Sequence, residues 1–177
     1  MQPLLYLVNL TTITQIDGTK ITFNSSGKII SITDKNNNIT TYNYNTGTGK
    51  LESITDPSGR AISFSYNANG NIEQATDPAG KTVHYTYDGN NRLVSCLDQE
   101  NKTLVYQYNT DDNLTRITYP RGNYISYGYD DQDRVTAVTR TITVNGTPTT
   151  AVSVIAYDPA NKRTTVTDAN GVGAHFN

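Results

Sequence analysis

"YTYDGNNRL", residues 85–93, places two tyrosines, an aspartate, a run of glycine and asparagines and an apolar residue within nine positions. Such a stretch reads as a site if it occurs once and as a building unit if it recurs. It recurs. Taking the Asp or Asn that closes each aromatic strand as an anchor, the anchors are Asn24, Asn45, Asn67, Asp88, Asn109, Asp130, Asp158 and Asn177. Successive spacings are 21, 22, 21, 21, 21, 28 and 19 residues, and the insertion "TITVNGTPTT" (141–150) accounts for the 28. A near-constant period of this length is the mark of a repeat architecture.

Within each period the grammar is steady. An alternating strand comes first, as in "AISFSYN" (61–67), "TVHYTYD" (82–88) and "TLVYQYN" (103–109). The residues one and three before the anchor are aromatic at 13 of 16 positions: Phe23, Tyr42, Tyr44, Phe64, Tyr66, Tyr85, Tyr87, Tyr106, Tyr108, Tyr127, Tyr129, Tyr157 and Phe176. Only Ile21, Ile155 and Ala174 depart. Successive side chains of a strand point to opposite faces, so these two positions share a face, joined by Ile62, Val83, Leu104 and Ile125 five before the anchor.

A short turn follows, such as "NANGN" (67–71) or "DGNNR" (88–92), opened by the anchor Asn24, Asn45, Asn67, Asp88, Asn109, Asp130 or Asp158. Asn, Asp and Gly tolerate positive φ, and a connection this short makes a β-hairpin. A second strand comes next, as in "KLESITD" (50–56) or "RLVSCLD" (92–98), closed in two copies by "DPSG" (56–59) and "DPAG" (77–80). Pro second and Gly fourth fit a type I turn ending on Gly59 or Gly80, with the Asp side chain accepting a local backbone bond. Both connections are too short for a parallel crossover, which needs about a dozen residues. The expected fold is therefore all-β, an antiparallel meander of repeated hairpins. A parallel β-helix, whose coils have a similar length, lacks a tight hairpin in every turn.

One feature strains the pattern. Apolar residues of the second strand recur three apart, as in Leu51 and Ile54, or Leu93 and Cys96. An ideal strand would put them on opposite faces, and either a bulge or a twist beside the turn would reconcile them. Organisation along the chain is expected as a leading strand region and partial repeat (1–17), tandem repeats (18–140), the hairpin-like insertion (141–150) and a further repeat (151–177).

Composition excludes several function classes. Charged residues are 17% of the chain, the formal charge is −2 and the 14 basic residues are scattered, which argues against a nucleic-acid partner or an acidic membrane surface. One cysteine, Cys96, leaves no intrachain disulfide and no cysteine-based metal site. "MQPLLYLVNL" (1–10) lacks the basic start of a signal peptide, and no stretch reaches the roughly 20 apolar residues of a membrane span.

"YTYDGNNRLVSCLD" (85–98), "FSYNANGNIEQATDPAG" (64–80) and "YGYDDQDRVTAVT" (127–139) resemble the YD repeats, also called RHS repeats, whose pattern is Tyr-x-Tyr-Asp-x-x-Gly-x-Leu. The resemblance covers about residue 18 to 177. Gly27, Gly49 and Gly70 hold the turn glycine, while Asn91, Asp112 and Asp133 replace it. By this resemblance the chain is part of a curved, spiralling sheet that encloses a C-terminal toxin or effector domain in bacterial RHS proteins, wall-associated proteins and insecticidal toxin complexes. Animal teneurins use a similar shell in adhesion. The resemblance implies a non-catalytic segment of a large secreted or surface bacterial protein, with the rest of the parent polypeptide and its cargo as partners and no cofactor. The family's aspartyl autoprotease pattern, Asp-Pro-x-Gly-Leu, does not carry over, because Arg60 and Lys81 stand where Leu is required. The chain also reads as a piece of something longer, with a signal sequence elsewhere and open edges that could pair in dimers.

Weighed as sites, the remaining residues are bland. His84 faces away from Tyr85 and Tyr87 and has no acid–base partner nearby in sequence, and His175 lies in the last strand. Cys96 takes the slot of Ile54, Ala75, Ile117 and Val138 and reads as a small buried hydrophobe. "TDDN" (110–113) and "DDQD" (130–133) cluster carboxylates without the spacing of a calcium loop, and read as solvated turns. The tyrosine stripe permits an alternative function, a carbohydrate-binding or adhesion face. Its repetition at every strand favours a cross-strand ladder that holds the sheet together.

Overall fold

The computed structural model describes residues 11–144 and 146–176, with side chains outside 142–144. Residues 1–10 of the leading region and the anchor Asn177 lie outside the described residues. Every described element is a β-strand, and each strand hydrogen-bonds to its sequence neighbours in the order β1 to β16, an antiparallel meander without crossovers.

The chain divides into two compact units, one up to His84 and one from Tyr85. The first carries β1 (Thr11–Thr14), β2 (Lys20–Phe23), β3 (Ile29–Thr33), β4 (Ile39–Tyr44), β5 (Leu51–Thr55), β6 (Ala61–Tyr66) and β7 (Ile72–Thr76). β8 (Thr82–Tyr87) runs across the division. The second carries β9 (Leu93–Leu97), β10 (Thr103–Tyr108), β11 (Leu114–Thr118), β12 (Tyr124–Tyr129), β13 (Val135–Val144), β14 (Thr147–Asp158), β15 (Arg163–Thr167) and β16 (Gly173–Phe176).

Turn chemistry makes these hairpins. In the commonest turn the first residue's amide donates to the carbonyl four residues on, and the fourth residue's amide donates back to the first carbonyl. At Asn67 these bonds are 2.9 and 3.0 Å, and at Asp77 likewise 2.9 and 3.0 Å. The fourth residue then needs positive φ, which Gly adopts without steric cost and Asn or Asp at small cost. Gly70 has φ of 89°, and Asn91, Asp112 and Asp133, standing where glycine is usual, have 63°, 66° and 60°. The side chain of the first residue completes the turn: Asp88 Oδ1 accepts from the amides of Asn90 (2.9 Å) and Arg92 (3.0 Å). "NTGTGK" is one residue longer, with the amide of Asn45 reaching the carbonyl of Lys50 instead, which accounts for the single spacing of 22.

The three-apart spacing is resolved by a bulge. Asn43 pairs with Ser53, yet Tyr44 pairs with Leu51, so Glu52 is an extra residue in β5. The same step leaves Ile30 extra against β2, Glu73 against β6, Thr115 against β10 and Thr136 against β12. Skipping one residue returns Leu51 and Ile54 to one face, opposite Tyr44 and Tyr42. In the first unit that face reads across strands as Tyr42–Ile54–Ile62 and Phe64–Ala75–Val83. The opposite face reads Asn43–Ser53–Ser63–Thr76.

A single sheet layer has no interior. Among the described residues no side chain is fully buried, so stability must come from neighbouring strands: ladder hydrogen bonds and cross-strand side-chain pairs of about 0.2–1 kcal/mol each. This corrects the expectation for Cys96. It does sit on the aromatic face, paired with Leu104, but it is only half-buried. That shielding, with the charge of Asp98, still pushes its thiol above the ordinary range.

The insertion lengthens one hairpin. β13 and β14 remain paired from Ala137–Val154 out to Val144–Thr147.

Candidate functional site: the tyrosine-lined face

The structure places the repeat tyrosines of both units in a recurring bonding pattern. Five of the tyrosines directly before an anchor donate the hydroxyl to the carbonyl of the residue that begins the second strand of the preceding hairpin. Tyr44 reaches Ile29 O at 2.9 Å and Tyr66 reaches Leu51 O at 2.7 Å. In the second unit Tyr108 reaches Leu93 O at 2.9 Å, Tyr129 reaches Leu114 O at 2.8 Å and Tyr157 reaches Val135 O at 2.9 Å. A bulge interrupts the ladder, and a backbone carbonyl left without its strand partner needs another donor. The tyrosine supplies one and thereby ties each hairpin to the one before it. Tyrosines three before the anchor instead pair across the ladder, Tyr106 with Ile117 and Tyr127 with Val138. Burial pushes the phenols of Tyr106 and Tyr129 above their ordinary value. Phe23 and Phe176 lie toward the two ends of the described meander, and Phe176 is 57% exposed.

Sequence reasoning missed a second half of this pattern. The residue closing each hairpin turn is Lys28, Lys50, Asn71, Arg92, Asn113 or Arg134, and the cationic ones stack on the tyrosine of the next repeat. Lys28 lies 5.2 Å from the Tyr44 ring centre, Lys50 4.8 Å from Tyr66, Arg92 4.9 Å from Tyr108 and Arg134 4.4 Å from Tyr157. The same side chains bond the next turn: Lys28 Nζ donates to Gly49 O, and Arg92 Nη1 to Asn109 O (3.1 Å) and Asp112 Oδ1 (2.7 Å). Asn113 does so to Asp133 at 2.6 Å. The available signal was the restriction of that slot to Lys, Arg or Asn in six successive repeats.

Turn carboxylates are engaged locally. Arg134 pairs with Asp130 (2.7 Å), Arg92 with Asp88 (2.7 Å) and Arg60 with Asp56 (2.6 Å). The side-chain bond from Arg134, then its backbone amide, hold the Asp130 carboxyl below the usual carboxylate range. At Asp88 the Arg92 backbone amide leads. Asp111, Asp130, Asp131 and Asp133 line one depression, but among the described residues no group of three or more such side chains is arranged to hold a metal ion. His84 is exposed on the polar face opposite Gln74, with Nε2 3.1 Å from Thr82 Oγ1. His175 is exposed beside Thr165 at 3.1 Å. Among the described residues neither histidine is hydrogen-bonded to a carboxylate.

The family model described as Teneurin YD-shell matches residues 12–144. No curated protein matches the chain. Among solved structures, a crystal structure of TcdB2-TccC3-Cdc42 matches with a TM-score of 0.64 and 17% identity, over 90% of this chain and 10% of that one. TcdB2-TccC3-TEV matches at 0.64 and 18%, over 92% and 10%. A variant Tc holotoxin pore of Photorhabdus luminescens matches at 0.64 and 18%, over 90% and 9%. The chain thus spans about a tenth of the chains whose fold it shares.

Proposed function

Because the chain belongs to the teneurin YD-shell family, we propose that it is a non-catalytic wall segment of a β-shell that encloses a C-terminal toxin or effector domain of a large secreted or cell-surface bacterial protein. The observation that carries this reading is the fate of the tyrosines. Directly before the anchors, the hydroxyls of Tyr44, Tyr66, Tyr108 and Tyr129 are taken by backbone carbonyls, and the rings of Tyr44, Tyr66 and Tyr108 by cations of the preceding repeat. Side chains committed in this way hold neighbouring hairpins together. They have little left with which to grip a sugar, which weighs against the carbohydrate-binding alternative. The Tc toxin structures that share the fold support a place in a toxin assembly. The polar face, dominated by Ser, Thr, Asn and Gln, suits contact with water or with a cargo that must not be held tightly.

The test uses the parent polypeptide, intact and with residues 61–102 removed in frame, two periods of 21 residues. Limited proteolysis of the region downstream of this segment should be slow in the intact protein and fast in the deletion. Equal digestion of that region in both would remove encapsulation as the function.

A further inference from the structure

Two departures from the repeat grammar meet at one place in the second unit. The turn between β11 and β12 reads "TYPRGNY" (118–124), so that Tyr119 stands where other copies have Asp34, Asp56, Asp77, Asp98 and Asp168, and Tyr124 where those copies have Ile39, Ala61, Thr82, Thr103 and Gly173. The insertion extends β13 beyond its neighbour: the last β12–β13 pair is Ile125–Arg140, whereas β13 pairs with β14 as far as Val144. Among the described residues, the edge of β13 that faces away from β14 therefore has no strand along 141–144. In the angle between this overhanging edge and the turn lies an open depression of about 580 Å³, walled by Tyr119, Arg121, Tyr124, Ile125, Arg140 and Thr141. That volume is within the range of sites that take a ligand.

The chemistry of the notch is specific. Lys102 at its rim is paired with Glu100, but Arg121 and Arg140 have no carboxylate partner among the described residues. Two uncompensated guanidinium groups thus stand together on a chain whose formal charge is −2. The hydroxyl of Thr141 is buried and has no hydrogen-bond partner. Tyr119, 40% exposed, and Tyr124, backed by the Arg116 guanidinium at 3.6 Å from its ring centre, supply aromatic walls. An unpaired strand edge offers backbone donors and acceptors that a second chain satisfies by adding as a strand.

We propose that this notch docks an extended acidic peptide segment of a separate partner protein, which adds as a strand along 141–144 and seats a carboxylate between Arg121 and Arg140. Arginine recognises carboxylates through its planar fork of donors. The backbone edge accounts for the extended form and the two arginines account for the acidic side chain. This goes beyond the wall function and does not depend on it.

The experiment titrates the full chain into a fluorescein-labelled peptide of alternating Glu and Val, about ten residues long to span such an edge, and reads fluorescence anisotropy. Saturable binding is expected, weakening as salt is raised. Arg121→Glu, in an exposed turn, should weaken it at least about tenfold, as should a peptide of equal charge N-methylated at alternate residues to block one backbone edge. A variant in which Asn-Gly joins Thr141 directly to Thr150 should not bind, and circular dichroism checks that each variant keeps its strands. The proposal is overturned if no saturable binding occurs, if the N-methylated peptide binds as well, or if Arg121→Glu has no effect in a folded chain. It is equally overturned if sedimentation shows a dimer that disappears in the shortened variant, which would put a second copy of this chain on the edge.

Discussion

At the scale of single residues, the tyrosine hydroxyl is the most informative atom. Tyr66→Phe keeps the ring and its contact with Lys50 but removes the donor to Leu51 O. A hydrogen bond of this kind contributes about 0.5–1.5 kcal/mol, so the variant's urea midpoint should fall accordingly with an unchanged slope. The turn carboxylates set the response to acid. Asp56, Asp88 and Asp130 have folded-state pKa values below the ordinary 3.8, so the unfolded chain binds protons first as pH falls. Their stabilisation is fully present above the unfolded value and is lost as pH drops through the lower folded value. Unfolding measured from pH 6 downward should show a loss beginning near about 4. Asp88→Asn and Asp130→Asn together should flatten that limb, since Asn24, Asn67 and Asn109 make the same Asx turn without a titrating group. The aromatic positions and the turn glycines were legible from the sequence. The stacked cations were not, because Lys28, Lys50, Arg92 and Arg134 look like ordinary exposed charges until the next repeat's ring is placed beside them.

At the scale of elements, the meander was legible for a steric reason: turns of a few residues leave no alternative to antiparallel pairing. The bulge was not. The spacing of Leu51 and Ile54 announced a disturbance, but bulge and twist leave the same trace in sequence. Only the pairing of Tyr44 with Leu51 distinguishes them. The bulge also aims the tyrosine hydroxyls, since the carbonyls they reach begin the bulged segments. Deleting Glu52 therefore does more than shorten a strand. It also removes the acceptor of the Asn45 Nδ2 bond (2.8 Å). Without Glu52, Leu51 and Ile54 stand two apart, which a regular strand already places on one face, so the bulge is lost and the Leu51 carbonyl that Tyr66 reaches is misplaced. The deletion variant should expose this hairpin to protease, while Glu52→Gln should not. Equal resistance of the deletion variant and the parent chain would mean that the bulge is dispensable.

At the scale of the whole molecule, the absence of any fully buried side chain among the described residues sets the physics. A sheet one layer thick depends on its nearest neighbours strand by strand, as repeat proteins do. It has two faces of different chemistry, one aromatic and one of small polar groups, and a wall must turn one of them inward. The aromatic face is the more shielded of the two: along β10 Leu104, Tyr106 and Tyr108 are half-buried while Thr103, Val105 and Gln107 are exposed.

Reactivity from each face of the sheet therefore tests the wall function most directly. Cys96, the single cysteine of this chain, marks the aromatic face, paired with Leu104, whereas Ser95, paired with Val105, marks the polar one. In the intact parent protein, Cys96 and, in a second variant, Cys96→Ser with Ser95→Cys are each treated with a small maleimide and with a bulky polymer-linked one. Labelling is read on the peptide that carries the site. Because the Cys96 thiol is held above the ordinary range by burial, rates are compared with the unfolded protein. A shell wall should let the small reagent reach both faces and the bulky one reach only one of them. Equal labelling of both faces by the bulky reagent would contradict enclosure and leave the chain an open sheet.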